Sequence, residues 1–113
     1  MKWRVEVVED AAAALAELPV DIRAKFVRIV QMIEGNGLER VHEPYVKHLQ
    51  GPLWEMRMKG KDGIARAAYV TASGRRVVVV HVFVKKTQKT PRREIDYALK
   101  RRERSNDKEI YPG

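Results

Sequence analysis

The fold is decided between Leu53 and Val84. The stretch reads Leu53-Trp54-Glu55-Met56-Arg57-Met58-Lys59, then Ile64-Ala65-Arg66-Ala67-Ala68-Tyr69-Val70-Thr71, then Arg76-Val77-Val78-Val79-Val80-His81-Val82-Phe83-Val84. Turns at Lys59–Gly63 and Ala72-Ser73-Gly74-Arg75 separate the three runs. Period-two patterning and β-branched residues predict three strands, and the short connections predict a meander of antiparallel hairpins.

Alternation assigns the faces. Trp54, Met56, Met58, Ala65, Ala67, Tyr69, Val78, Val80, Val82 and Val84 are expected on the core side. Glu55, Arg57, Lys59, Arg66, Ala68, His81, Phe83 and Lys85 then point the other way. On this parity Trp54 is a core anchor and Phe83 an exposed ring. Tyr69 reads either way, as a buried ring or as a ring whose hydroxyl reaches a partner.

Upstream, residues 2–8 alternate as a strand, and the Ala-rich run from Glu9 to Leu18 predicts a short helix stopped by Pro19. A second helix is expected from Pro19 or Asp21 to Glu34. Its Ile22, Phe26, Ile29, Val30 and Ile33 form one stripe, and Gly35-Asn36-Gly37 ends it. The two read as an antiparallel hairpin needing a sheet to cover its apolar side. Residues 38–51 read as a loop. Downstream, Thr90-Pro91 predicts an N-cap with proline at the first position of a charged helix to Arg104. One domain over 1–105 and a flexible tail over 106–113 are expected.

The chain has 113 residues, no cysteine and a net charge of +8. Disulfides, thiol nucleophiles and thiolate metal sites are excluded, which fits a reducing cytoplasm. No apolar run approaches the ~20 residues that span a bilayer, and the charged start leaves no signal-peptide core. The positive charge is segregated. Residues 57–93 hold eleven basic side chains against Asp62 alone, a net of +10, while the rest of the chain carries −2. Such a concentrated field attracts polyanions. A basic sheet face around the aromatic Phe83 suits a phosphate backbone with one stacked base.

Three blocks resemble the RelE/ParE toxin superfamily. They are Leu49-Gln50-Gly51-Pro52-Leu53-Trp54-Glu55-Met56-Arg57, Gly63-Ile64-Ala65-Arg66-Ala67-Ala68-Tyr69, and His81-Val82-Phe83-Val84-Lys85-Lys86-Thr87-Gln88-Lys89-Thr90-Pro91 followed by Glu94-Ile95 and Ala98. The third is similar to the phage-derived Gp49-like or HigB-like branch of type II toxin–antitoxin toxins. The resemblance implies an α+β, RelE-like fold: an N-terminal strand and helix hairpin packed on a mainly antiparallel twisted sheet, with a C-terminal helix. It implies an endoribonuclease that cuts mRNA on the ribosome and a cognate antitoxin, often of helix-turn-helix type. The ParE branch shares the fold and acts on DNA gyrase, so a non-enzymatic gyrase inhibitor and an inactive RNA-binding domain stand as alternatives.

Metal-free RNA cleavage needs a base for the 2′-hydroxyl, cations for the phosphorane charge and an acid for the leaving oxygen. His42, His48 and His81 are scattered and no paired carboxylates face the basic region, so neither a metal nor another cofactor is expected. By resemblance, Arg66 contacts the scissile phosphate, Arg57 shares a basic position of ribosome-dependent cutters, and Lys85 or Lys86 supplies another phosphate-binding cation. Arg66 and Lys86 are assigned to charge stabilisation. His81 is a candidate acid or base because histidine is the residue type suited to proton transfer near neutral pH, alongside Tyr97, Lys85 and Lys89, and the base stays unassigned. Lys59, Phe83, Thr87, Gln88, Lys89, Arg92 and Arg93 complete the expected RNA-binding set. Glu55 stands where some relatives carry lysine.

Overall fold

The computed structural model describes residues 2–85 and 89–104. Lys86, Thr87, Gln88 and the expected tail at 106–113 lie outside the described residues, as do the side chains of Lys85, Glu103 and Arg104. In chain order the elements are β1 (Arg4–Val7), α1 (Glu9–Ala16), α2 (Val20–Asn36), a single 3-10 turn (Leu38–Arg40), β2 (Val46–Gln50), β3 (Leu53–Gly60), β4 (Gly63–Ala72), β5 (Arg76–Lys85) and α3 (Arg92–Arg104). One sheet has the order β1-β5-β4-β3-β2. β1 runs parallel to β5, and every other pairing is antiparallel.

The three central strands form the expected meander, with Met56 opposite Ala67 and Ala67 opposite Val82. The expected loop 38–51 contains one more strand. β2 pairs with the start of β3 and is broken by a bulge between His48 and Gln50. Only Val46 is buried along it, so its polar side chains hide the alternation that marks a strand with a packed face.

α2 buries Ile22, Ile29 and Ile33 along its stripe and crosses one face of the sheet diagonally. Its start sits over the end of β3, where Asp21 accepts the Lys61 backbone N–H at 2.7 Å. Near its end Glu34 accepts the Val5 backbone N–H at 3.0 Å. α1 packs against β5, and α3 lies on the opposite face of the sheet, in contact with β5, β3 and β4. With helices on both faces, Val77, Val78, Val79 and Val80 are all buried despite alternating. A bulge also places an extra residue, Val80, between the Ala68–His81 and Tyr69–Val79 pairs.

Three core assignments change. The bulge puts Val79 on the α2 face beside Tyr69 and turns Val78, paired with Val70, to the other face. Val84 is exposed because it lies beyond the helices at the end of β5. Trp54 keeps the expected face, opposite Tyr69, but is 39% exposed. The diagonal of α2 covers the Met56 and Met58 end of β3 and leaves the Trp54 end open. Trp54→Ala therefore lacks the large cost of a buried aromatic deletion. None of the described helices is long and apolar enough to cross a membrane.

Gly60 marks the closest helix–sheet approach. A Cβ there would fall 2.5 Å from Ile22 Cγ1 and 2.7 Å from Asp21 Oδ2, whereas one at Gly63 meets nothing within 4 Å. Gly60→Ala is expected to cost about 1–3 kcal/mol by overpacking, and Gly63→Ala much less, as measured by urea denaturation. Hydrogen bonding from the Lys61 backbone, opposed by desolvation and helped by the Ile22 backbone N–H, holds the Asp21 carboxyl below its ordinary value of 3.8. Its contribution to stability is present above that value and is lost as pH falls through the lower folded value. The stability gap between wild type and Asp21→Ala should narrow below pH 3.8.

Candidate nucleic-acid interface

The face opposite α2 collects the side chains that parity assigned to it. Arg57 on β3 stands directly across from Arg66 on β4, Arg66 is paired with Phe83 on β5, and Ala68 is paired with His81. Lys59 continues the row and is exposed, and Arg57 is half-buried. This brings Arg57, Arg66, His81, Phe83 and Lys59 together. The β5 backbone carries Lys85 at the same end, opposite Ile64.

The face is not open, as sequence parity suggested. α3 lies across it, from Arg92 bonded to Gln50 of β2, past Glu94 on His81, to Arg101 paired with Asp10 of α1 at 2.8 Å. Beneath its entry, Glu55 and Arg66 form a salt bridge in which each side chain is only 1% exposed. Thr90 donates its hydroxyl to the other Glu55 oxygen at 2.8 Å. The Thr90 hydroxyl is thus engaged with the sheet, and α3 begins at Arg92, with the Pro91 carbonyl accepting from Glu94 and Ile95. Burial pushes the Arg66 pKa down. Attraction to Glu55 opposes the shift and repulsion from nearby Arg57 adds to it. A guanidinium stays charged through such a shift.

His81 sits at the other side of this closed region. Its Nε2 lies 2.7 Å from Glu94 Oε1, and its ring stacks on Phe83 at 5.1 Å and meets Tyr97 at 4.5 Å. Phe83 is consequently half-buried and not exposed as expected. Tyr97 also accepts a hydrogen bond from Arg101, whose guanidinium lies 5.1 Å from the ring centre. Lys89, Arg92 and Arg93 are exposed around the start of α3, Arg92 paired with Asp96 at 3.2 Å and Arg93 3.7 Å from Glu94. Sequence reasoning missed Glu94 and Thr90 as site members. Only the path of α3 over the sheet puts them there, and strand parity carries no information on that path. Among the described residues no group of three or more His, Asp or Glu side chains is placed to hold a metal ion.

A mixed five-stranded sheet with α2 on one face and α3 across the other is the fold of the RelE-like toxins. The overall fold is similar to an Escherichia coli toxin RelE mutant in the free state, at 17% identity and TM-score 0.63, over 89% of this chain and 98% of that one. It is also similar to an archaeal RelE–RelB complex from Pyrococcus horikoshii OT3, at 22% identity and TM-score 0.55, over 74% and 96%. No curated protein matches the chain. Residues 13–103 match the family described as Phage derived protein Gp49-like (DUF891), and the chain belongs to that family.

The ion pair makes its own prediction. Glu55→Met or Arg66→Met alone strands a buried charge and should cost about 3–5 kcal/mol, whereas the double variant should recover most of that loss. A double-mutant cycle by chemical denaturation measures the coupling. Arg66→Ala is therefore not the neutral probe of chemistry that its exposed parity suggested.

Proposed function

We propose that the chain is the toxin of a type II toxin–antitoxin pair, a metal-independent endoribonuclease that cuts mRNA on the ribosome in the cytoplasm. A cognate antitoxin of helix-turn-helix type would hold it inactive. The observation that carries this reading is the cross-strand pair of Arg57 and Arg66, with His81 one strand away on the same face. Membership of the Gp49-like family and a fold shared with a toxin solved as a RelE–RelB complex support it.

Arg66 and Lys86 stabilise the phosphorane that forms as the 2′-hydroxyl attacks, and Arg57 shares that charge. His81, with Glu94 on its Nε2, transfers a proton. Lys85 adds a further cation to the reacting phosphate. Phe83 stacks on a base, while Lys59, Thr87, Gln88, Lys89, Arg92 and Arg93 track the backbone.

Arg57 is half-buried where Arg66 is fully enclosed, so its removal disturbs the fold less than removal of Arg66 and tests the chemistry more directly. Arg57→Ala is expected to slow cleavage by about 10²-fold. The assay maps cuts on a defined mRNA with and without translating ribosomes. Cuts at codons that need ribosomes and leave 5′-hydroxyl ends are the expected result. Intact RNA from folded, antitoxin-free protein would overturn the reading and favour a binding inhibitor, with gyrase as the next target.

A further inference from the structure

A cavity of about 750 Å³ opens on the α2 face, on the opposite side of the sheet from the basic row. Its volume lies in the ordinary range for small-molecule sites. It forms where the diagonal of α2 leaves the start of β3 uncovered and residues 38–43 arch over the gap. Leu38, Val41 and Val46 give it an apolar lining, and the ring walls are Trp3, Trp54 and Tyr69. These are the only two tryptophans of the chain.

Tyr69 supplies the observation that points to a ligand. The residue is 1% exposed and lines the cavity, yet among the described residues its hydroxyl has no hydrogen-bond partner. The hydroxyl is open to the cavity, and a phenol donor in a ring-walled apolar cavity can fix the orientation of a small molecule by a single hydrogen bond. Burial pushes the phenol pKa up, so the hydroxyl stays protonated and able to donate. The lining is not basic overall: it includes Glu39 and Glu43 and a single lysine, Lys47. Glu39 is further oriented by the Trp3 indole N–H at 3.2 Å. This contrasts with the +8 chain as a whole and disfavours a polyanion.

We propose that this cavity binds an uncharged, planar ring compound that offers a hydrogen-bond acceptor to the Tyr69 hydroxyl and packs between Trp3 and Trp54. The site is independent of the ribonuclease reading, because none of its lining residues belongs to the basic face.

The test uses the neutral fluorophore N-phenyl-1-naphthylamine, whose absorption overlaps tryptophan emission. Both donors lie in the cavity wall, so binding should give saturable energy transfer in the wild-type protein. Quinoline and naphthalene, which have the same shape but differ in a ring nitrogen acceptor, then compete with the probe. Tyr69→Phe removes only the unpartnered hydroxyl and should fold. It should lower the quinoline-to-naphthalene affinity ratio by about tenfold, the worth of one buried hydrogen bond. Trp54→Ala, at a partly exposed position, should weaken the probe at least about fivefold by removing one aromatic wall. Absence of saturable transfer in the wild type, or an unchanged ratio in Tyr69→Phe, would overturn the proposal. So would probe affinity unaltered by Trp54→Ala.

Discussion

The buried pair of Glu55 and Arg66 is the interaction on which the rest of the structure depends. Two opposite charges are taken out of water beneath the start of α3, with Thr90 donating to the carboxylate from above. Desolvating either charge alone is prohibitive, so the pair, the hydroxyl and the helix entry come as a unit. That unit sets where α3 starts and how it crosses the sheet, and so where Glu94 meets His81. A site that holds an arginine dry against a carboxylate already has the geometry to hold it against another oxyanion.

Helices on both faces give the sheet two distinct surfaces. The α2 face is apolar and carries the core of Ile22, Ile29, Ile33, Met56 and Met58. The α3 face carries charge, exposed in Lys59, half-buried in Arg57 and closed in Glu55 and Arg66. The short reach of each helix leaves one end of its face uncovered. On the α2 side that end is the aromatic cavity, and on the α3 side it is the stretch of β3 that carries Arg57 and Lys59.

Strand parity made much of this legible in advance. Alternation from Glu55 to Lys59, Ile64 to Ala68 and His81 to Phe83 assigned the two faces correctly, because a residue's face depends only on its place in the pleat. Parity could not say what covers a face. Trp54 lies on the helix side but beyond the helix, and Phe83 lies on the outer side but beneath His81 and α3. The edge strand β2 was hidden by its polar side chains, and the Val80 bulge by a run of four valines that reads the same in either register. The site residues Glu94 and Thr90 depend on long-range docking of α3, which no local pattern encodes.

The proposed function requires RNA to be held on the β3–β4–β5 face by Arg57, Arg66 and His81. The direct measurement is an NMR titration of the protein with a 2′-O-methyl trinucleotide, which lacks the attacking hydroxyl and cannot be cut. The account predicts saturable shifts concentrated at Arg57, Arg66, His81 and Phe83 and at the first turn of α3, reversed by added salt. Shifts confined to the opposite face, around Val41, Val46 and Trp54, would contradict it.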